Sequence, residues 1–199
     1  SSDLVAAAER RGIAIGSGNR VRELVTASDG AVIGAVIDSN QGELTRVGAK
    51  KVVLATNGYA ANRELVAQYC PEIAGAEYFG ARGSEGEAVL WGRKLGAALG
   101  NMGAYQGYAS VAYPQGTIVS WTAVEKGGVI VDANGDRFGE EARTGYSAYA
   151  RKVLAATPPV HVIFDDRIRR IAEKEEDFLE LMEMKDRKST RLNSSHGYI

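Results

Sequence analysis

The stretch KKVVLATNGYAANREL, residues 50–65, decides how the rest of the chain is interpreted. It runs from two lysines into an uncharged apolar segment, stops at Thr56-Asn57-Gly58, and continues as a polar, helix-like segment. The uncharged segment over residues 52–55 is typical of a strand buried on both faces, and open α/β sheets bind ligands at the carboxyl ends of such strands. The loop after it therefore predicts either close backbone approach to a bound molecule or a plain strand-to-loop turn.

The residues before this stretch predict a helix, a short strand and an antiparallel meander. The segment SSDLVAAAERRG begins with capping residues and ends at Gly12, which predicts a helix, and IAI at residues 13–15 predicts a strand. Three strand-like runs follow, NRVRELVTA, AVIGAVIDS and ELTRV, separated by the turn-forming segments SDG at 28–30 and SNQG at 39–42. This order predicts an α/β (α+β mixed) fold in which a small β-meander replaces the usual crossover helix.

The later residues predict further helices and a hairpin. The segment GSEGEAVLWGRKLGAALG has apolar residues at helical spacing, with Glu87 in its first turn. VIVDANGDRF predicts a hairpin with Asn134-Gly135 in the turn, followed by a strand at HVIFDD and a charged helix from Arg167. Arg137 and Glu141 are expected to form an exposed ion pair, a class of interaction worth roughly 0 to 1 kcal/mol.

Composition excludes several classes of protein. The 199 residues are 45% hydrophobic, enough for a core, and 24 basic residues balance 25 acidic ones, so neither a nucleic-acid nor a membrane surface is expected. No apolar run is long enough to span a bilayer. One cysteine and two histidines exclude an intrachain disulfide and leave too few ligands for a zinc site, so no metal is expected. These features are compatible with a cytoplasmic location. The chain begins at SSDL without a methionine or a signal-peptide pattern, which is compatible with a fragment of a longer protein.

The order of NRVREL, VVLATNGYAANREL, GSEGEAVLWGRKLGAAL, GGVIVDANGDRFGEE and VIFDDR resembles a family of FAD-dependent oxidoreductases. That family contains fumarate reductase and succinate dehydrogenase flavoproteins, 3-ketosteroid dehydrogenases and urocanate reductases. The resemblance implies part of a Rossmann-like FAD-binding domain with a β-meander insertion over residues 1–104 and part of an α+β substrate-capping domain over 105–185. Residues 186–199 are expected to be a non-native or disordered tail.

The resemblance also implies which residues contact FAD. The family's ATGG loop matches residues 55–58, the valine of a strand start matches Val21, and a TGDG turn is matched imperfectly by residues 85–88. The implied cofactor residues are Val21, Ala55, Thr56, Asn57, Gly58, Gly86 and Glu87. The family's GxGxxG and its C-terminal glycine-rich segment have no match in the chain, which supports the expectation of an internal piece.

On the substrate side the chain departs from the fumarate-reducing members. Tyr108 stands where they have a substrate-binding histidine, Trp121 and Val124 stand where they have the proton-relay glutamate and arginine, and Gly145 stands where they have the acid arginine. Without a guanidinium pair a C4 dicarboxylate would be held poorly, so fumarate or succinate is not the expected substrate. The replacements are aromatic, namely Tyr105, Tyr108, Tyr113, Trp121 and Tyr146.

The candidate catalytic residues are Tyr108, Arg143 and Tyr146, although each tyrosine could instead simply pack an interface. The implied partners are a small-molecule substrate and an electron-transfer partner. Three hypotheses remain: a longer parent that transfers a hydride to or from FAD, a fragment that is inactive alone, or a standalone α/β binding module. A standalone module should cover or charge its exposed sheet edge.

Overall fold

The computed structural model describes residues 2–76, 78–112 and 117–188, and these residues form two compact units. The first unit consists of Ser1–Thr56 with Glu87–Ala98, and the second of Asn57–Gly86 with Leu99–Ile199, as far as those ranges are described. Helices and small antiparallel sheets make up both units, which confirms the predicted mixed fold class. In the described ranges, no helix combines the length and the apolar character needed to cross a bilayer.

The first unit contains the predicted helix and meander. Helix α1 (Ser2–Arg10) precedes strands β1 (Asn19–Thr26), β2 (Val32–Ser39) and β3 (Leu44–Gly48), which pair antiparallel in the order β1-β2-β3. Helix α3 (Glu87–Lys94) belongs to the same unit. The meander forms because its turns are encoded locally by glycines: Gly30 and Gly42 have φ of 85° and 79°, the left-handed region that glycine enters without strain.

Two segments of the first unit predicted as strands are not strands in the structure. Residues 13–15 and 52–55 have no strand assignment, and Ile13, Ile15 and Val53 are 57%, 54% and 88% exposed. A strand exists only where a neighbour supplies hydrogen bonds, and among the described residues neither segment has a paired strand. The predictions were wrong for the structure as described, although the apolar pattern on which they rested is present.

The second unit begins with a short helical hairpin. Helix α2 (Arg63–Tyr69) is capped by Asn62, whose side-chain oxygen accepts hydrogen bonds from the backbone N–H groups of Glu64 and Leu65, both at 3.1 Å. A single 3-10 turn (Pro71–Ile73) follows. Buried side chains from this hairpin, Val66 and Ile73 among them, form a small apolar cluster.

The rest of the second unit alternates short strands and helices. Strands β4 (Val111–Ala112) and β5 (Thr117–Ile118) pair with each other, as do β6 (Val129–Val131) and β7 (His161–Ile163). The helices are listed in chain order as α4 (Thr122–Glu125), α5 (Glu141–Ala155), α6 (Asp166–Ala172) and α7 (Glu176–Lys188). The charged helix predicted from Arg167 is therefore two helices. Of the apolar stripe expected to be buried, Ile168, Phe178 and Leu181 are buried, whereas Ile171 and Met182 are only partly buried.

Helix α5 carries the main core of the second unit. Tyr149, Ala150 and Val153 from this helix pack against Trp121 and Ile130. The helix is interrupted at Gly145, whose φ of 73° and ψ of 158° are not helical. This kink separates the first turn of α5, in which Glu141 is buried and Arg143 is exposed, from the part that carries Tyr149 and Val153.

The predicted domain boundary at residue 104 stays a prediction, because the two units are defined by contacts and not by the family's domain division. In the predicted tail, α7 includes residues 186–188, and residues 189–199 lie outside the described residues. Tyr113 also lies outside them.

Candidate functional site

In the first unit, two residues predicted to contact the cofactor present buried oxygen atoms without hydrogen-bond partners. Thr56 Oγ1 and Glu87 Oε2 are both buried and both unsatisfied. The other carboxylate oxygen of Glu87, which lies in the first turn of α3, is 3.8 Å from Nη2 of Arg20. Buried polar atoms are nearly always hydrogen-bonded, so these two oxygens are able to accept hydrogen bonds from a bound polar molecule. Hydroxyl and N–H groups are the partners that these oxygens can use.

The other predicted cofactor residues of the first unit have different surroundings. Val21 lies on β1 opposite Ile37 of β2, so its backbone is part of the meander. Ala55 is exposed and leaves its backbone accessible. Both positions are compatible with backbone contact to a ligand, and their assignment stays a prediction.

In the second unit, the predicted cofactor loop begins with a left-handed residue. Asn57 has a φ of 63°, a conformation that asparagine tolerates better than most residues, and its side-chain oxygen accepts a hydrogen bond from the backbone N–H of Gly58 at 2.8 Å. A Cβ built on Gly58 would meet nothing within 4 Å. The loop therefore leaves open space beside the backbone of Gly58.

Gly86, in contrast, has a packing role. Its φ is 85°, and a Cβ at this position would lie 2.5 Å from Cδ1 of Leu65 and 2.7 Å from Cβ of Tyr59. Glycine is therefore required here by its neighbours in the second unit as well as by its backbone conformation. This requirement explains the residue without a cofactor contact, and the predicted contact remains untested.

The structure brings two of the three candidate catalytic residues together. The rings of Tyr108 and Tyr146 have centroids 4.8 Å apart and planes 31° apart. The hydroxyl of Tyr108 donates to the carbonyl of Val119 at 3.4 Å and accepts from the backbone N–H of Trp121 at 3.2 Å. Tyr146 accepts a hydrogen bond at its hydroxyl from the side-chain amide of Gln106 at 2.8 Å. The Tyr108 hydroxyl thus bonds to the backbone at Val119 and at Trp121. The Tyr146 hydroxyl acts as an acceptor toward Gln106, so its O–H group can still donate a hydrogen bond elsewhere.

The third candidate, Arg143, lies on the surface. Its side chain is 85% exposed and its Nη1 lies 3.3 Å from the carboxylate of Glu140, itself 70% exposed. An exposed pair of this kind stabilises little.

A cleft borders Tyr146 where α5 is interrupted. It has a volume of about 500 Å³ and is lined by Tyr105, Tyr146 and Arg151, with the residues around Gly145. Arg151 Nε donates to the hydroxyl of Tyr105 at 2.8 Å, and its guanidinium lies 5.2 Å from the centre of that ring. Glu72 lies 3.9 Å from Nη2 of Arg151 and partly neutralises it. Sequence reasoning missed Arg151, whose only sequence signal is a basic residue six positions after Gly145.

Trp121 lies close to the rings of both Tyr146 and Tyr149, and two polar atoms of these side chains are buried without partners. Trp121 Nε1 and the hydroxyl of Tyr149 are buried without hydrogen-bond partners, and the two rings are 6.1 Å apart. Burial, reinforced by the charge of Glu141, raises the pKa of Tyr149 to about 12, so its phenol stays neutral. Tyr149 was not among the predicted site residues, because no motif or family position in the sequence points to it.

The segment carrying Trp121 is held from both sides by a carboxylate. The hydroxyls of Ser120 and Thr122 both donate to Glu175, which lies between α6 and α7. These two hydrogen bonds, from Ser120 first and from Thr122 second, hold the pKa of Glu175 below its usual range. The hydrogen bonds to Glu175 from the residues on either side of Trp121 hold the backbone of Trp121, whose N–H donates to the hydroxyl of Tyr108.

Comparison with known proteins identifies the kind of chain that this geometry belongs to. A family profile described as FAD binding domain matches residues 3–173. A probable fumarate reductase from Shewanella frigidimarina (strain NCIMB 400) is 30% identical over 166 residues, which are 83% of this chain and 28% of that protein.

Two solved structures are similar in fold and sequence. The open conformation of a flavocytochrome c3 fumarate reductase has a TM-score of 0.74 and 29% identity, over 90% of this chain and 32% of that one. A 3-ketosteroid-Δ4-(5α)-dehydrogenase from Rhodococcus jostii RHA1, solved in complex with 4-androstene-3,17-dione, has a TM-score of 0.60 and 25% identity, over 86% of this chain and 34% of that one. The chain thus spans about a third of the length of these three proteins.

Proposed function

Because the chain belongs to the FAD binding domain family, we propose that it is a segment of a flavin-dependent oxidoreductase acting on a carbon–carbon bond of a substrate other than fumarate or succinate. FAD is the cofactor of this family, and when bound it supplies the hydride-transfer chemistry. The protein's contribution is to hold the cofactor, orient the substrate and handle the proton.

The observation that carries the proposal is the pair of orphaned oxygens, Thr56 Oγ1 and Glu87 Oε2. They are buried, they belong to one unit, and they occur at positions that the family resemblance assigns to the cofactor. The residues present therefore fit a ligand rich in hydroxyl and N–H groups. We assign these two side chains to cofactor binding, with the backbone of Val21, Ala55, Asn57 and Gly58 as further contacts and Gly86 as a residue required by packing.

On the substrate side, Tyr146 is the proposed proton donor. Its hydroxyl lines the cleft and accepts from Gln106, an arrangement that orients the O–H for donation to a bound molecule. We propose a supporting role for Tyr108, whose hydroxyl accepts from the backbone N–H of Trp121 and whose ring packs against the ring of Tyr146. The exposure of Arg143 and its pairing with Glu140 argue against a direct role in the chemistry.

Exposed apolar residues support the proposal that the active protein is longer than 199 residues. Ile13, Ile15 and Val53 lie in segments with strand-like sequence but no paired strand, and each is more than half exposed. A complete domain would cover such residues or replace them with charged ones. We therefore propose that this chain alone is inactive and that the parent divides near residue 104 into FAD-binding and capping domains. The parent would also need an electron-transfer partner to return its flavin to the starting state.

The cofactor assignment is tested by flavin content and affinity in the longer parent. Thr56→Val and Glu87→Gln each remove one orphaned group with little change of shape, and each is expected to weaken FAD binding by about tenfold. Thr45→Val and Glu43→Gln, matched changes at exposed positions of the meander, should leave the affinity unchanged. Wild-type FAD affinity in both test variants would refute the assignment of these side chains.

A further inference from the structure

The turn between α6 and α7 carries a carboxylate to which the proposed reaction assigns no role. The backbone of Glu175 is fixed in this turn, because its N–H donates to the carbonyl of Ala172 at 2.9 Å and its carbonyl accepts from the N–H of Phe178 at 3.2 Å. Ala172 and Phe178 are both fully buried, so packed residues anchor the turn on either side. The Glu175 side chain is exposed, yet it extends from a well-anchored part of the fold.

Both oxygens of this carboxylate bind residues that lie more than fifty positions earlier in the chain. Ser120 Oγ donates to Oε2 of Glu175, and Thr122 Oγ1 donates to Oε1. The Ser120 hydroxyl also accepts from the backbone N–H of Thr122 at 3.2 Å. Hydrogen bonds to an ionised acceptor are stronger than those between neutral groups. The two bonds to Glu175 therefore restrain the residue between the two hydroxyls, which is Trp121.

Trp121 supports the ring of Tyr146 in two ways. The ring of Trp121 meets the ring of Tyr146 edge-on, with centroids 6.3 Å apart and planes 71° apart. The backbone N–H of Trp121 donates to the hydroxyl of Tyr108, whose own ring centroid lies 4.8 Å from that of Tyr146. Tyr146 directly follows the interruption of α5 at Gly145, so regular helix continues on only one side of it. Its orientation thus depends on these aromatic neighbours as well as on α5.

We propose that Glu175 is a positioning residue for Tyr146. Its bonds to the hydroxyls on either side of Trp121 hold that residue in place, and the contact between Trp121 and Tyr146 then orients the Tyr146 hydroxyl toward the cleft. Glu175 is not among the residues that line the cleft, so it acts through the others. The catalytic part of this inference rests on the proposed function of Tyr146 as proton donor, whereas the restraint on its ring rests on the contacts themselves.

Tyrosine ring resonances report the position of Tyr146 without any ligand. In the 199-residue chain labelled with ¹³C in its tyrosine rings, the Tyr146 resonance is the one that Tyr146→Phe removes. Glu175→Ala is expected to shift this resonance by more than its linewidth, because the resonance position depends on the neighbouring Trp121 ring. The resonance of Tyr69, which packs in the helical hairpin, should not move. Glu176→Ala is the matched control, since it removes the adjacent exposed carboxylate, and it should shift neither resonance.

Two outcomes of this measurement would overturn the proposal. One is an unmoved Tyr146 resonance in Glu175→Ala. The other is a shift of Tyr69 as large as that of Tyr146, since Glu175 would then support the whole fold and not one ring.

The hydroxyl of Thr122 allows a test by conservative replacement. Thr122→Val keeps the shape of the side chain without the donor and should shift the Tyr146 resonance as Glu175→Ala does. Thr122→Ser keeps the donor and should leave the resonance at its wild-type position. Because solvent competes for an exposed carboxylate, the midpoint of urea unfolding should move by less than about 0.5 M in Glu175→Ala. Equal resonance shifts in the two Thr122 variants would overturn the proposal.

The catalytic part is tested in the parent, with reduced methyl viologen as the electron donor and crotonate as the alkene. Glu175→Ala is expected to lower kcat by about tenfold while KM stays within about twofold, because a misplaced proton donor slows the chemical step without weakening substrate binding. Glu176→Ala should retain the wild-type kcat. A wild-type kcat in Glu175→Ala, or a change confined to KM, would overturn the catalytic part.

Failure of this proposal can be separated from failure of the proposed function. A shifted Tyr146 resonance together with a flavin-containing parent of lowered kcat supports both. A parent without flavin would contradict the proposed function, and a shifted resonance would then leave the restraint on the ring without a catalytic role. A parent with flavin and an unmoved Tyr146 resonance would overturn the positioning proposal alone.

Discussion

Glu141 is a fully buried carboxylate at the start of α5, and replacing its partner Arg137 tests what anchors the helix that carries Tyr146. Nε of Arg137 lies 3.1 Å and 3.0 Å from the two carboxylate oxygens, and Nη2 lies 2.6 Å from one of them. The backbone N–H of Ile130 donates a further hydrogen bond at 2.8 Å. Burial by itself would raise the pKa of Glu141, but the hydrogen bonds from Arg137 and Ile130 outweigh it and hold this pKa below its usual range.

Arg137→Met removes three donor contacts and leaves the carboxylate buried with the Ile130 N–H. Removing one partner of a buried ion pair costs about 3 to 5 kcal/mol. Because the Arg137 side chain is 54% exposed, solvent already screens part of this interaction, and we expect a loss of about 2 to 3 kcal/mol in the free energy of unfolding at pH 7.

The pH dependence of the free energy of unfolding provides a second test of this prediction. In the wild-type chain the pKa of Glu141 is depressed by folding, so the carboxylate contributes stability above its unfolded-state pKa and loses it as the pH falls through the folded-state value. In Arg137→Met, burial without the guanidinium should raise the pKa of Glu141 above its value in the unfolded chain. The variant should then lose stability as the pH rises above the pKa that Glu141 has in the unfolded chain. The difference in stability between wild type and variant should therefore shrink between pH 7 and pH 5.

Urea unfolding followed by tryptophan fluorescence measures this difference, since Trp121 lies in the core that α5 completes. Arg170→Met is the control, because Arg170 and Asp166 form an exposed pair at 2.8 Å with the same four-residue spacing in sequence. It should change stability by less than about 0.5 kcal/mol. An Arg137→Met variant within about 0.5 kcal/mol of wild type at pH 7, or a penalty equal at both pH values, would refute the reasoning.

Two further predictions concern single positions. Gly86→Ala should destabilise the chain by at least about 3 kcal/mol, because the added Cβ would lie 2.5 Å from a Leu65 methyl at a φ of 85°. The control Gly135→Ala has the same φ but open space around the added Cβ, and it should cost only about 1 kcal/mol. Equal losses of stability in urea unfolding would show that packing at Gly86 is not limiting. In the parent enzyme, Tyr146→Phe should lower kcat by about 100-fold or more while the flavin content stays unchanged. Tyr108→Phe should mainly lower the free energy of unfolding, by about 1 kcal/mol. An unchanged kcat in Tyr146→Phe would show that this residue takes no part in the chemistry.

The parts of the fold that depend on local sequence could be predicted. The meander follows from turn residues within it, such as Gly30 and Gly42, and the cap at Asn62 acts on N–H groups two and three residues away. The strand predicted over residues 52–55 needs a partner elsewhere in the chain, and sequence pattern alone contains no information on whether that partner is present.

The site was predictable only where the family resemblance pointed to a position. Thr56 and Glu87 were named in this way, and the structure gives them a physical reason in their unsatisfied oxygens. Tyr149 and Arg151 were missed because their surroundings depend on contacts with residues distant in sequence, Trp121 for Tyr149 and Tyr105 for Arg151. The Arg137–Glu141 pair was expected, but its carboxylate was wrongly expected to be exposed. The i,i+4 charge spacing does not reveal that Glu141 is fully buried and also accepts from the backbone N–H of Ile130.

The central claim is that this chain belongs to the cofactor-holding part of a flavin-dependent enzyme. The most direct test is an absorbance spectrum of the purified full-length parent, recorded beside that of the 199-residue chain. We predict stoichiometric flavin in the parent and none in the short chain, since the residues proposed to contact FAD in the short chain would hold only part of it. A parent without bound flavin would contradict the account.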